Sequence, residues 1–222
     1  MNKLFTLIFL VSFLANGQSL KEIYIENSRG EWEKYENKEF LNQVIDTSMT
    51  YNLKNGKSPQ QNLIDNAKAN VYKRAEKLAQ ILSALEINFT ALDSLTIIEQ
   101  RFLNHELPFD FTKYGTILTK SEIHGFSYDT AKESDGIKKI DYFATSKNET
   151  LSQAKQIIGN LILSGKTKYL DTIAKVETEM LAGPLKDLIP ETEFEILIFN
   201  KSSEQQLRRI YLHEIFVQIM NQ

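Results

Sequence analysis

The sequence predicts a helix-rich α+β fold, with about five to six amphipathic helices and a small antiparallel sheet or hairpin. Three observations lead there. Apolar residues recur at three-to-four spacing along much of the chain. Helix-capping patterns stand directly before several of those segments. Segments of strand length with alternating or continuous apolar character are few, and the best of them lies late, at residues 193–199.

The chain opens with Lys3 and an apolar run over residues 4–14, interrupted only by Thr6 and Ser12, and then Ala15-Asn16-Gly17. A basic start, a short apolar core and small residues at the −3 and −1 positions form the secretory pattern, with cleavage expected before Gln18. A spanning helix needs about 20 apolar residues, so this run is too short for a stable anchor, and no membrane insertion is expected once it is removed. Residues 18–222 are read as a single globular domain in the periplasm or outside the cell. The chain has no cysteine. Burial alone must then hold the exported fold, and thiol catalysis and thiolate metal sites are excluded. About 200 residues bury roughly 70% of the unfolded surface, enough for one core.

Residues 38–51 carry Phe40, Leu41, Val44, Ile45 and Met49 at helical spacing. Asn55-Gly56 marks a turn. Ser58-Pro59-Gln60-Gln61 then combines an N-cap, a proline at the first helical position and a box-closing glutamine. The helix it opens runs to about Leu85, with Leu63, Ala67, Val71, Leu78, Leu82 and Leu85 on one stripe. A third helix is expected over residues 90–103, with Leu92, Leu95, Ile98 and Phe102 inward. Ser146-Lys147-Asn148-Glu149 caps a helix bearing Leu151, Ala154, Ile158, Leu161 and Ile162, which Gly165 ends. Thr167 starts the next, stopping at Gly183-Pro184. Ser203-Glu204-Gln205-Gln206 caps a last helix to Met220 that is apolar nearly all round, as in a buried or partner-covered helix.

Residues 193–199 read as an inner strand, and residues 123–128 and 139–145 as a hairpin with Asp135-Gly136 in its loop. Residues 20–26 alternate weakly, and the aromatic stretch 108–119 reads as a packed connection.

Net charge is −3, and the basic pairs Lys138-Lys139 and Arg208-Arg209 are isolated. A nucleic-acid binder needs a basic face that displaces counterions, so nucleic acid is not an expected partner. Gly159 to Thr167 ends in Gly-Lys-Thr like a phosphate-binding loop, but five residues separate its glycines where four are needed, and no strand precedes it. It reads as a helix end. Residues 129–136 are acidic, but an EF-hand alignment on Gly136 puts Ala131 and Tyr142 where acids belong. No Gly-x-Ser-x-Gly elbow occurs.

The candidate metal or acid–base residues are His105, His124 and His213. No two share a helix turn, and no His-Glu-x-x-His spacing occurs, so a site would need three distant segments to converge. Neither a metal nor any other cofactor is expected. Glu31, Glu33, Glu36 and Glu39 read as a solvated face around Trp32, which packs the N-terminal segment or anchors a partner. Asp93-Ser94-Leu95, Asp129-Thr130-Ala131 and Asp171-Thr172-Ile173 resemble the Asp-Ser/Thr-apolar acceptor that some bacteria O-glycosylate on exported proteins. Asn88-Phe89-Thr90 and Asn148-Glu149-Thr150 fit the N-glycosylation acceptor.

Three function classes follow. The leading one is a non-catalytic interaction or binding protein with a possible protein partner. The others are a carrier of an apolar ligand between the helix at residues 151–162 and the last helix, and a hydrolase using histidines and carboxylates. Converging acids with a histidine among them would favour the hydrolase.

Overall fold

The computed structural model describes residues 18–45, 58–102, 112–130, 136–144, 149–187 and 192–219. The export segment, His105, the Ser146-Lys147-Asn148 part of the predicted cap and most of the acidic stretch 129–136 lie outside those residues. The chain divides into two compact units, one of Met1–Leu82 with Asn88–Thr90 and one of Ser83–Ile87 with Ala91–Gln222.

The first unit is helical. Helix α1 (Leu20–Glu26) replaces the weak strand expected over residues 20–26. The reason is a capping box: Ser19 Oγ accepts from the Glu22 backbone N–H at 3.2 Å, and Glu22 accepts from the Ser19 N–H at 2.8 Å. Short α2 (Gly30–Glu33) and a 3₁₀ turn (Lys34–Glu36) lead into α3 (Lys38–Val44), whose N-cap Asn37 accepts from the Glu39 and Phe40 N–H groups. Trp32 is buried, with the Lys68 ammonium 5.8 Å from its ring centre, whereas Glu31, Glu33, Glu36 and Glu39 are exposed. Helix α4 (Pro59–Ala84) starts at the predicted cap, with the Gln61 N–H donating to Ser58 Oγ at 3.1 Å. It buries Ile64, Val71, Ala75, Leu78, Ile81 and Leu82. Lys21 of α1 pairs with Glu76 of α4.

The second unit overturns the expectation of a small sheet or hairpin. Strands β1 (Ser94–Phe102), β2 (Thr112–Leu118), β3 (Ile123–Asp129), β4 (Lys138–Ile140), β5 (Thr192–Asn200) and β6 (Leu207–His213) form one six-stranded antiparallel sheet in the order β4-β3-β2-β1-β5-β6. The mixed α+β class stands, but the sheet is a large six-stranded one and not a small hairpin. Helices α5 (Glu149–Leu163) and α6 (Thr167–Ala182) connect β4 to β5, and α7 (Glu214–Ile219) follows β6.

The sheet was hidden for local reasons. The predicted helix over residues 90–103 is mostly β1. Leu95, Thr96, Ile97, Ile98, Glu99 and Gln100 are all buried, so both faces are covered and the period-two signal vanishes. Its Thr-Ile-Ile core is β-branched and favours a strand. The predicted last helix is β6 followed by the short α7. Its supposed cap is the loop of the β5–β6 hairpin, where the Asn200 N–H donates to the Gln206 carbonyl at 2.9 Å and the Ser202 N–H to Asn200 Oδ1 at 3.0 Å. Part of the supposed connection 108–119 is β2, which runs along β1 from Thr96↔Leu118 to Glu99↔Gly115.

One face of the sheet supports α5, α6 and α7. Ile98, Leu118, Phe194, Ile196, Ile210 and Leu212 pack with Leu151, Ala154, Ile158, Leu170, Ile173, Phe216 and Val217 in a single cluster. Residues of the opposite parity, including Leu95, Ile97, Ile117, Phe126, Leu197 and Phe199, are buried as well. Gly165, at φ +72°, ends α5, and the Lys166 N–H returns to the Leu161 carbonyl at 2.8 Å. The Gly159–Thr167 stretch is therefore a helix C-terminus and the start of α6.

Candidate functional site

Two neighbouring cross-strand rows bring together the buried Glu99 and Glu195 with the partly buried Arg101, Glu193 and His213. In one, Glu99 of β1 lies opposite Glu195 of β5, and Glu195 opposite Tyr211 of β6. In the next, Arg101 lies opposite Glu193, and Glu193 opposite His213. Residues two apart on a strand share a face, so these six positions form one patch. Glu177, on α6, reaches His213 from a helix.

Like charges opposite one another on a sheet repel. The fold relieves Glu99 and Glu195 with phenol hydroxyls. Tyr128 of β3 donates to Glu99 Oε1 at 3.1 Å, and Tyr211 donates to Glu195 Oε1 at 3.3 Å. Arg101 pairs with Glu193 at 3.3 Å, and its guanidinium lies 5.6 Å from the Tyr211 ring centre. Burial raises the Glu193 pKa above the ordinary carboxylate value, with Arg101 and His213 opposing and Glu195 and Glu177 adding to it.

His213 is held at two points. Its backbone N–H donates to Glu177 Oε2 at 2.9 Å, and its Nδ1 lies 2.5 Å from Glu177 Oε1. A carboxylate only accepts, so Nδ1 carries the proton. The Glu177 hydrogen bond raises the His213 pKa, against the effect of burial, and the Glu177 and Glu193 charges add to the rise. The side chains of both residues are largely buried. A buried carboxylate fixing the tautomer and orientation of an imidazole is the arrangement of an acid–base pair, and equally of a structural one.

The histidines named from the sequence do not converge. His124 lies on β3 with its Nε2 3.0 Å from Glu122. Four strand spacings of about 4.8 Å separate β3 from β6, roughly 19 Å, so His124 and His213 cannot share a metal. His105 is not among the described residues. Among the described residues, no three His, Asp or Glu side chains are placed to hold a metal ion. Glu99, Glu177, Glu193, Glu195, Arg101 and Tyr211 escaped the sequence reading because their proximity comes from strand pairing. The one local trace was Glu193-Phe194-Glu195, two acids at strand spacing.

A second buried ion lies on α5. Lys155 is fully buried and donates from Nζ to the Ala144 carbonyl at 2.6 Å. Burial pushes its pKa down to about 7, with Asp141 opposing. The segment it grips crosses the sheet where side chains are missing or small. Thr116 donates to the Tyr142 carbonyl, and Gly125 lies against the backbone of Asp141 and Tyr142.

Compared with protein-family models, curated proteins and solved structures, the chain matches none.

Proposed function

We propose that the chain is an exported, non-catalytic interaction or binding protein. One observation carries this reading: each acid gathered around His213 is engaged by the protein's own groups. Glu177 takes His213, Glu193 takes Arg101, Glu195 takes Tyr211 and Glu99 takes Tyr128. Such cross-strand and helix-to-strand contacts hold a sheet end together, although Glu99 Oε2 is buried without a hydrogen bond among the described residues. Glu99 and Glu195 are 1% and 7% exposed, which suits structure better than contact with a substrate. The exported location rests on residues 1–17 alone.

The favoured contact surface is the edge of the sheet at β6 and α7. Tyr211 and Ile215 are exposed there, and Arg101 stacks on Tyr211. Tyrosine and arginine together are typical of interface anchors. A photo-crosslinking residue at position 211 is expected to trap a discrete partner in cells, one lost in an Ile215→Glu variant. The same residue at the exposed Lys73 position serves as control. Equal, diffuse labelling from both positions would count against the surface.

The carrier reading has weaker support. Leu151, Ala154 and Ile158 share one packed cluster with Phe216 and Val217, so side chains occupy the interior a ligand would need. The hydrolase reading is favoured by the His213–Glu177 pair, which orients an imidazole as an acid–base group requires. A panel of ester, glycoside, phosphoester and peptide substrates separates the classes. Turnover that His213→Asn abolishes without lowering the melting temperature would make the chain an enzyme and overturn the non-catalytic proposal.

A further inference from the structure

We infer that Ser94, Thr130 and Thr172 carry O-linked sugar, added to the exported chain before it folds. This rests on the proposal of export. Asp93-Ser94-Leu95, Asp129-Thr130-Ala131 and Asp171-Thr172-Ile173 share one pattern, acid then hydroxyl then apolar. Roughly one or fewer such triplets is expected by chance at ordinary composition. In all three the hydroxyl residue is exposed in the folded protein.

At Ser94 and Thr172 the rest of the pattern is not readable once the chain has folded. Leu95 is 2% exposed and Ile173 1%, both in the core. Ser94 and Leu95 point to opposite faces of β1. Asp171, Thr172 and Ile173 are successive residues of α6, turned about 100° from one another around the helix axis. The Asp171 carboxylate is also held by Arg208 at 3.0 and 3.1 Å. An enzyme that recognises all three side chains must therefore meet an extended, unfolded chain. Folding then buries Leu95 and Ile173 and leaves the modified hydroxyls of Ser94 and Thr172 outside. Thr172 Oγ1 donates to the Lys168 carbonyl at 3.3 Å on the exposed side of α6, a surface bond rather than a core contact.

The transfer needs an activated sugar, a glycosyl diphosphate, and a separate transferase. The hydroxyl oxygen attacks the anomeric carbon, and a new C–O bond forms. The bond from that carbon to the phosphate oxygen breaks, diphosphate leaves, and the hydroxyl proton passes to a base of the transferase. Nothing is oxidised or reduced.

The test uses the protein recovered from the exported fraction of the cells that encode it, with its N-terminus, intact mass and glycopeptides determined. The expected chain begins at Gln18 and carries three sugar additions, on residues 94, 130 and 172. The triple Ser94→Ala, Thr130→Ala, Thr172→Ala variant should return to the bare mass. Never-exported chain, incubated with membranes and the glycosyl diphosphate, should accept sugar at positions 94 and 172 when unfolded and not when folded. A chain beginning at Gln18 with bare mass, or with sugar on Asn88 instead, overturns the glycosylation and leaves export standing. A chain beginning at Met1 overturns export and the inference with it. Equal labelling of folded and unfolded chain overturns modification before folding.

Discussion

Glu177 binds His213 through both carboxylate oxygens, one to the backbone N–H and one to the ring Nδ1, and so ties helix α6 to the last residue of β6. The backbone contact has a topological role. In the β5–β6 hairpin the Asn200 N–H points at the Gln206 carbonyl, so by alternation the backbone of His213 points away from β5. Glu177 thus supplies the partner that a seventh strand would otherwise provide.

The pair has a defined pH signature. The His213 pKa is raised in the folded state, so the folded protein holds that proton more tightly than the unfolded chain. The stabilisation is fully present below about pH 6.5, the unfolded value, and is lost as pH rises through the folded pKa. Glu177→Gln is expected to lower stability by about 1–3 kcal/mol at pH 6, with the gap to the parent protein narrowing above pH 6.5. Urea unfolding at several pH values reads this directly. A gap that widens with pH would contradict the assignment.

Glu193 also binds its proton more tightly in the folded state, because burial opposes its charge. Its ionisation therefore lowers stability as pH rises from about 4.5 upward through its folded pKa. Glutamine mimics the protonated acid. Glu193→Gln should match the parent protein near pH 4 and exceed it in melting temperature near pH 7. Scanning calorimetry at those two pH values decides it, and a less stable variant at pH 7 would show that the Arg101 pair outweighs burial.

Lys155 has the opposite sign. Its pKa is about 7 when folded, well below the ordinary lysine value, so between about pH 7 and 10.5 the unfolded chain holds a proton that the folded protein lacks. Stability from this group rises with pH over that window. Lys155→Met keeps the volume and removes the titration. The parent protein should gain stability relative to the variant between pH 7 and 10, measured by denaturant unfolding. A constant difference would mean that Lys155 keeps its charge in the core.

Gly125 is required by a backbone crossing. A Cβ there would fall 2.5 Å from Tyr142 Cα and overlap the Asp141 carbonyl. Main chain cannot rotate aside as a side chain can, so Gly125→Ala is expected to cost about 1–3 kcal/mol or more. It should also weaken the Lys155 grip on Ala144, exposing amides near residues 141–144 to faster hydrogen exchange. Unchanged exchange would place the crossing elsewhere.

The parts of the fold legible in the sequence are those set by nearest neighbours. Ser58 with Gln61 marks the start of α4, and Gly165 marks the end of α5, because caps and left-handed stops are made within a few residues. The Ser19–Glu22 box is equally local and marks the start of α1 against the weak alternation that follows it. β1 misled because a strand buried on both faces has no alternation, and Leu95 and Ile98 happen to satisfy helical spacing. β6 misled because Ser203 to Gln206 has the composition of a cap and the position of a hairpin loop.

The sequence by itself determined the α+β class, the principal helices, the absence of thiol chemistry and an expectation of export. Only the tertiary structure decided that six strands form one sheet, and that His213 belongs with Glu177, Glu193, Glu195, Glu99 and Arg101. The physical reason is range. A cap or a turn is an interaction between residues three or four apart, whereas Arg101 meets Glu193 and Glu177 meets His213 only when strands and helices distant in sequence pair and pack.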